Sequence, residues 1–259
     1  MKLHVETTGH GPELVLLHGW GLHSSAWTTL LPELSQRFRV TCIDLPGHGR
    51  SPAPPGSFGL ESAAAAIAAA APPGAAWLGW SLGGQIALAA ALAGAAIRRL
   101  VLVATTPRFV TAADWPCGMA ATTLESFAAS LAKDHRKTLR DFLTLQLRGD
   151  RHAATLLAEL RRTLGERGDP DPGALRAGLD ILGGTDLRDR LAAVHQPVLV
   201  IAGERDRLTP AEAGRRLAVG VGDGRFLALP GAAHAPFLTH PTEFAAAVGE
   251  FLLDEELRA

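Results

Sequence analysis

Short apolar runs punctuate the chain: Leu14–Leu17 (LVLL), Val40–Asp44 (VTCID), Ala76–Leu78 (AWL), Leu100–Ala104 (LVLVA), Val198–Ala202 (VLVIA) and Arg225–Leu229 (RFLAL). Each is short, several are β-branched, and Gly, Pro or Asp follows several of them. That pattern predicts strands buried on both faces, as in a parallel sheet. The start, MKLHVETTGHG, alternates like a further strand and runs into a turn. Between the runs lie Ala/Leu-rich helical segments such as Gly83–Leu92 and Glu212–Leu217. Strand alternating with helix predicts an α/β fold, a mostly parallel, doubly wound sheet with helices on both sides.

The alternation breaks between about Pro107 and Asp186. This stretch has no convincing strand. Helical patterns recur around Leu124–Leu131, Lys137–Leu147 and Ala153–Leu164, followed by a Gly/Pro-rich break, GDPDPG. The expected organisation is a core of residues 1–107 and 187–259, with residues 108–186 as a helical lid. A lid there would cover the carboxyl ends of the strands, where open α/β sheets bind ligands.

Composition narrows this picture by exclusion. At 259 residues and 47% hydrophobic content, the chain has ample material for one large core. A net charge of −1 gives no field favouring nucleic acid. Cys42 and Cys117 read as free thiols, Cys42 as a buried small hydrophobe. The N-terminus lacks the apolar core of a signal peptide. The stretch Ala63–Ala71 ends at Pro72-Pro73, well short of the roughly 20 residues a membrane span needs. A cytoplasmic protein without membrane contact is expected. PGHGRS, Pro46–Ser51, fails the dinucleotide pattern because Pro52 stands where its last Gly belongs, and it reads as a structural turn. Without Walker A, H-E-x-x-H or C-x-x-C sequences, no metal or cofactor is implied.

The chemistry centres on Gly79-Trp80-Ser81-Leu82-Gly83, a G-x-S-x-G sequence between the strand AWL and the helix GGQIALAAAL. A nucleophile on a sharp strand-to-helix turn needs small neighbours, and the following helix N-terminus favours nearby negative charge. A serine hydroxyl needs a base, and the base needs an acid to hold its tautomer. On such a fold the chain order is Ser, then Asp or Glu, then His. Asp206, in GERDRLTP, follows the strand VLVIA; His234, in LPGAAHAPF, follows the last apolar run. Glu204 is read as bracing its loop, His240 as a helix-start residue, and His195 as lying at the wrong end of the sheet. The oxyanion donors expected are the backbone N–H groups of Leu82 and of Trp20, in the His18-Gly19-Trp20-Gly21 loop.

With these residues in place, the chain resembles the α/β-hydrolase superfamily over nearly its whole length. It is closer still to the pimeloyl-[acyl-carrier protein] methyl ester esterase family of biotin synthesis. LVLLHGWGLHSSAW, DLPGHGRS, WLGWSLGG, DFLTLQ, GLDILGGTDLR and AAHAPFLTHPTEF carry the resemblance. It implies that Ser81 attacks the methyl ester of a pimeloyl chain on acyl-carrier protein, with His234 as base and Asp206 orienting it. Besides Trp20, Ser81, Leu82 and His234, the family's substrate-lining segment falls on Phe142, Leu143, Thr144, Leu145 and Gln146. Residues 133–162 hold eight basic and four acidic residues. This basic stretch, with Arg136, Lys137 and Arg140, would dock an acidic carrier, although one of the family's carrier-contacting positions is Asp141 here. A monomer is expected. Two alternatives share the reading: a broad carboxylesterase, lactonase or C–C hydrolase, and a non-catalytic receptor on the same fold.

Overall fold

The computed structural model describes residues 1–56, 58–146, 157–158, 160–162, 165 and 167–254. Seven strands form one sheet: β1 (Val5–Gly9), β2 (Glu13–Leu17), β3 (Arg39–Ile43), β4 (Ala75–Trp80), β5 (Ile97–Val103), β6 (Val198–Gly203) and β7 (Gly224–Leu229). Their order is β1-β3-β2-β4-β5-β6-β7. Only the edge strand β1 runs antiparallel, against β3; the others pair in parallel.

The continuous apolar runs bury both faces because alternate residues enter different cores. Val15, Leu17, Trp77, Leu100, Leu102, Val198 and Val200 pack on one side. Leu14, Leu16, Ala76, Leu78, Val101, Val103, Leu199 and Ile201 pack on the other. The first core is covered by α2 (Leu60–Ala70) and α3 (Leu82–Leu92). The second is covered by α9 (Pro241–Leu253), the short helices α1 (Leu31–Leu34) and α8 (Pro236–Thr239), and a 3-10 turn at Ser24–Trp27. Helix α7 (Ala211–Gly220) packs on β6 and β7. Helix α3 is buried along nearly its whole length, so it shows no polar stripe.

The chain leaves β2 for β3 on one side and returns to β4 on the other. The carboxyl ends of β2 and β4 therefore flank a switch point, where an α/β sheet opens a crevice.

Between β5 and β6 lie α4 (Ala121–Lys133), α5 (His135–Gln146) and α6 (Pro172–Gly184). The helix expected over Ala153–Leu164 falls mostly outside the described residues. Helix α6 begins inside GDPDPG, read from sequence as a break. Asp171 caps it, accepting the Ala174 N–H at 2.9 Å, and Pro172 occupies the first turn. Proline is tolerated there because that N–H has no helical partner. The two ends of the insertion are tied together: Arg108 meets Asp186 at 2.7 Å, and Leu187 N–H donates to the Pro107 carbonyl at 3.0 Å. Arg188 pairs with Asp186 and Asp114, both at 2.8 Å. Hydrogen bonds from Arg188, then Arg108, hold the Asp186 carboxyl well below the usual carboxylate range. No helix among the described residues is long and apolar enough to cross a membrane.

Candidate active site

Ser81 joins β4 to α3 with φ +55° and ψ −116°. A non-glycine residue there carries strain of about 1–3 kcal/mol, so its surroundings must hold it. Its N–H donates to the Val103 carbonyl at 2.9 Å, and the Thr105 hydroxyl donates to its carbonyl at 2.8 Å. The flanking glycines are required by space. A Cβ on Gly79 would lie 2.5 Å from the Gly83 carbonyl oxygen, and one on Gly83 would lie 2.5 Å from those of Leu17 and His18.

The loops after β6 and β7 bring Asp206 and His234 to this turn. His234 Nε2 lies 3.0 Å from Ser81 Oγ, and His234 Nδ1 lies 2.8 Å from Asp206 Oδ2. All three residues are buried, at 3%, 2% and 6% exposure for Ser81, His234 and Asp206, so little water competes for these bonds. Asp206 Oδ1 accepts the N–H groups of Leu208 and Thr209 at 2.8 and 3.0 Å. The Thr209 hydroxyl donates to Oδ2 at 2.6 Å. Thr209 was missed by the sequence reading; its signal was a threonine three residues after a loop aspartate, a common local bonding pattern.

His234 is anchored through its backbone as well. Its carbonyl accepts the Trp80 indole N–H at 2.8 Å, and its N–H donates to the Gln146 carbonyl at 3.1 Å. Glu204 accepts the Gly231 N–H at 2.9 Å and so braces the adjoining loop. His240 stands at the start of α9, and His195 is exposed ahead of β6.

After β2, Trp20 is buried with its indole N–H on the Leu175 carbonyl of α6 at 2.8 Å. Gly19 lies against the Ser81 turn: a Cβ there would be 3.4 Å from Ser81 Cβ. Among the described residues, the backbone N–H groups of Trp20 and Leu82 engage no acceptor. Leu82 opens α3, whose first N–H groups have no helical partners.

A narrow apolar cleft runs from Ser81 and His234 among Phe109, Met119, Phe127, Phe142, Leu182 and Leu208, whose side chains fill most of it. Phe142 meets Trp20 edge-on at 4.8 Å and Phe127 at 5.7 Å. The rest of the segment after Phe142 spreads around α5. Leu143 faces the opposite core. Thr144 is exposed and donates to the Arg140 carbonyl at 2.9 Å. Leu145 is half-buried, and buried Gln146 supplies the carbonyl that holds His234. Arg136 and Arg140 line a separate groove with Leu139, Leu143 and Arg161. Arg136 pairs with Asp169 at 2.5 Å and Lys137 with Asp141 at 2.6 Å; Arg140 is exposed.

A family model described as the alpha/beta hydrolase family matches residues 14–247. A pimeloyl-[acyl-carrier protein] methyl ester esterase from Xanthomonas campestris pv. campestris is 44% identical over 250 residues, covering 96% of this chain and 98% of its own. One of the same name from Nitrosomonas europaea is 46% identical over 244 residues, covering 94% and 96%. The crystal structure of a hydrolase from Pseudomonas aeruginosa superposes with a TM-score of 0.80 at 29% identity, covering 97% of this chain and 94% of that one. The sheet order, the strained serine turn and these relatives agree: the chain belongs to the α/β-hydrolase family and, within it, to the pimeloyl-[acyl-carrier protein] methyl ester esterases.

Proposed function

We propose that the chain hydrolyses the methyl ester of a pimeloyl group carried on acyl-carrier protein, releasing methanol and leaving a free distal carboxylate, as a step of biotin synthesis. The observation that carries this reading is the buried Asp206–His234–Ser81 relay, whose Ser81 and His234 line an apolar cleft. Ser81 Oγ attacks the ester carbonyl while His234 Nε2 takes its proton. The tetrahedral oxyanion lies between the N–H groups of Trp20 and Leu82, which engage no acceptor among the described residues. Collapse breaks the bond to methoxide, which leaves as methanol with the proton from His234. Water then attacks the acyl-enzyme with His234 again as base, and Asp206 stabilises the imidazolium each time.

In this reading Phe142 and the cleft's other apolar side chains hold the methylene chain. Residues 108–186 act as the lid, and Arg136, Lys137 and Arg140 face the acidic carrier. The enzyme works as a monomer in the cytoplasm. The test is conversion of purified pimeloyl-carrier methyl ester to the free acid, followed by mass spectrometry for wild type and Ser81→Ala. Rapid conversion that disappears in Ser81→Ala is expected. Equal conversion by both proteins would refute the mechanism, and activity confined to short free esters would leave only a general esterase.

A further inference from the structure

Trp20 stands between two peptide planes, and a buried imidazole holds each of them. His18 is fully buried, and its Nε2 accepts the Leu45 N–H at 2.9 Å. A backbone N–H can only donate, so the ring proton sits on Nδ1, which donates to the Gly19 carbonyl at 2.9 Å. That carbonyl shares its peptide plane with the Trp20 N–H. In a trans peptide the two groups point in opposite directions. The Leu22 N–H also donates to this carbonyl, at a longer 3.4 Å, so the imidazole is the closer of the two donors that fix the carbonyl and with it the aim of the N–H.

The next plane is held by His48, from the PGHGRS turn. The Gly21 N–H donates to His48 Nε2 at 3.3 Å, and His48 Nδ1 donates to the Pro46 carbonyl at 2.9 Å. The two rings lie 5.5 Å apart. Asp44 joins the loops that carry them, accepting the Ser24 N–H at 2.7 Å and the Arg50 N–H at 2.9 Å. Gly21 has φ +72°, a conformation that L side chains rarely adopt. Burial lowers His18 to about 3 and His48 to about 4, so both rings are neutral near pH 7 and both Nε2 lone pairs accept.

We propose that His18 and His48 are positioning residues for ester cleavage: from the two sides of Trp20 they set the aim of its N–H at the developing oxyanion. This rests on the reading of Ser81 as nucleophile and the Trp20 N–H as oxyanion donor. It gives PGHGRS a part in the chemistry.

Amide side chains separate the two ring positions. Asn mimics Nδ1 and Gln mimics Nε2. His18→Asn keeps the donor to Gly19, whereas His18→Gln loses it. His48→Gln keeps the acceptor for Gly21, whereas His48→Asn loses it. With p-nitrophenyl acetate, His18→Gln and His48→Asn should lower kcat about 10- to 100-fold with KM within about threefold, because the loss falls on the transition state. Affinity for a boronic acid analogue should fall in parallel. His18→Asn and His48→Gln should recover most of kcat. A loss of kcat that follows melting temperature without regard to which amide is present would overturn the proposal. So would a change confined to KM. If the His18 pair does not fold, the His48 pair makes the same comparison. Ser81→Ala runs alongside: turnover surviving there defeats the underlying reading, while an inactive Ser81→Ala with indistinguishable Asn and Gln variants defeats this inference alone.

Discussion

The Thr209 hydroxyl and His234 Nδ1 both donate to one oxygen, Asp206 Oδ2, at 2.6 and 2.8 Å. With two backbone N–H groups on Oδ1, the carboxylate accepts four hydrogen bonds in a buried site. Bonds of this kind to a charged group are short and strong. Thr209→Val keeps the shape and removes one donor, which loosens the carboxylate under the imidazole. Loss of such a bond is worth about 1.5–3 kcal/mol. The expected result is a drop in kcat of about tenfold with unchanged KM, read from steady-state kinetics on a simple ester. Unchanged kcat would show that the backbone donors suffice.

Phe142→Ala removes the ring that touches both Trp20 and Phe127. The cavity should cost about 3–5 kcal/mol of stability. Activity should fall selectively: KM for methyl esters of long acyl chains rises several-fold while methyl acetate is spared. A uniform loss across a chain-length series would argue against this cleft as the acyl site.

Charge reversal at Arg136, Lys137 and Arg140 tests the carrier contact. The pairs Arg136–Asp169 and Lys137–Asp141 are exposed and contribute little to stability. The triple Glu variant should therefore fold normally, raise KM for the carrier-bound ester about tenfold, and leave a small free ester untouched. The KM increase for the carrier-bound ester should shrink at high salt. Equal KM values for wild type and variant on the carrier-bound substrate would remove these residues from the docking surface.

Acid stability follows from the two histidines beside Trp20. Their folded values are lowered to about 3 and about 4, chiefly by burial, from an ordinary 6.5. The unfolded chain therefore binds more protons than the folded one below pH 6.5. The associated stability is fully present above that pH and is lost as pH falls toward 4. Each such group costs up to about 1.4 kcal/mol per pH unit in this window. Thermal melts should show Tm falling steeply between pH 6 and pH 4.5, with a shallower fall in His48→Gln, which lacks one titrating ring. Parallel curves would contradict the assignment.

Much of this architecture was legible in the sequence because buried parallel strands are apolar at every position. The run VLVIA reads as a strand, and its alternate residues then fill opposite cores. Ser81, Asp206 and His234 stood out because each follows such a run. Other elements were hidden by local chemistry. Helix α6 starts with an Asp cap and a Pro, residues that in isolation mark a loop. The Ala-rich run weighed only as a membrane span is helix α2. Contacts between a side chain and a distant backbone leave no local pattern, which is why the bonds from Leu45 to His18 and from Gly21 to His48 came only from the fold. The segment from Phe142 to Gln146 shows the remaining gap. Helical rotation sends its residues to different faces, so contiguity in sequence did not mean contiguity in the cleft.

The most direct test uses the covalent intermediate. If Ser81 attacks the methyl ester, the acyl-enzyme still carries the carrier through its thioester. Acid quenching during the first turnover, followed by intact-mass analysis, should reveal a conjugate of enzyme and carrier that maps to Ser81. It should be absent in Ser81→Ala. A Ser81 adduct bearing only the methyl pimeloyl group would mean attack at the thioester, and would contradict the account.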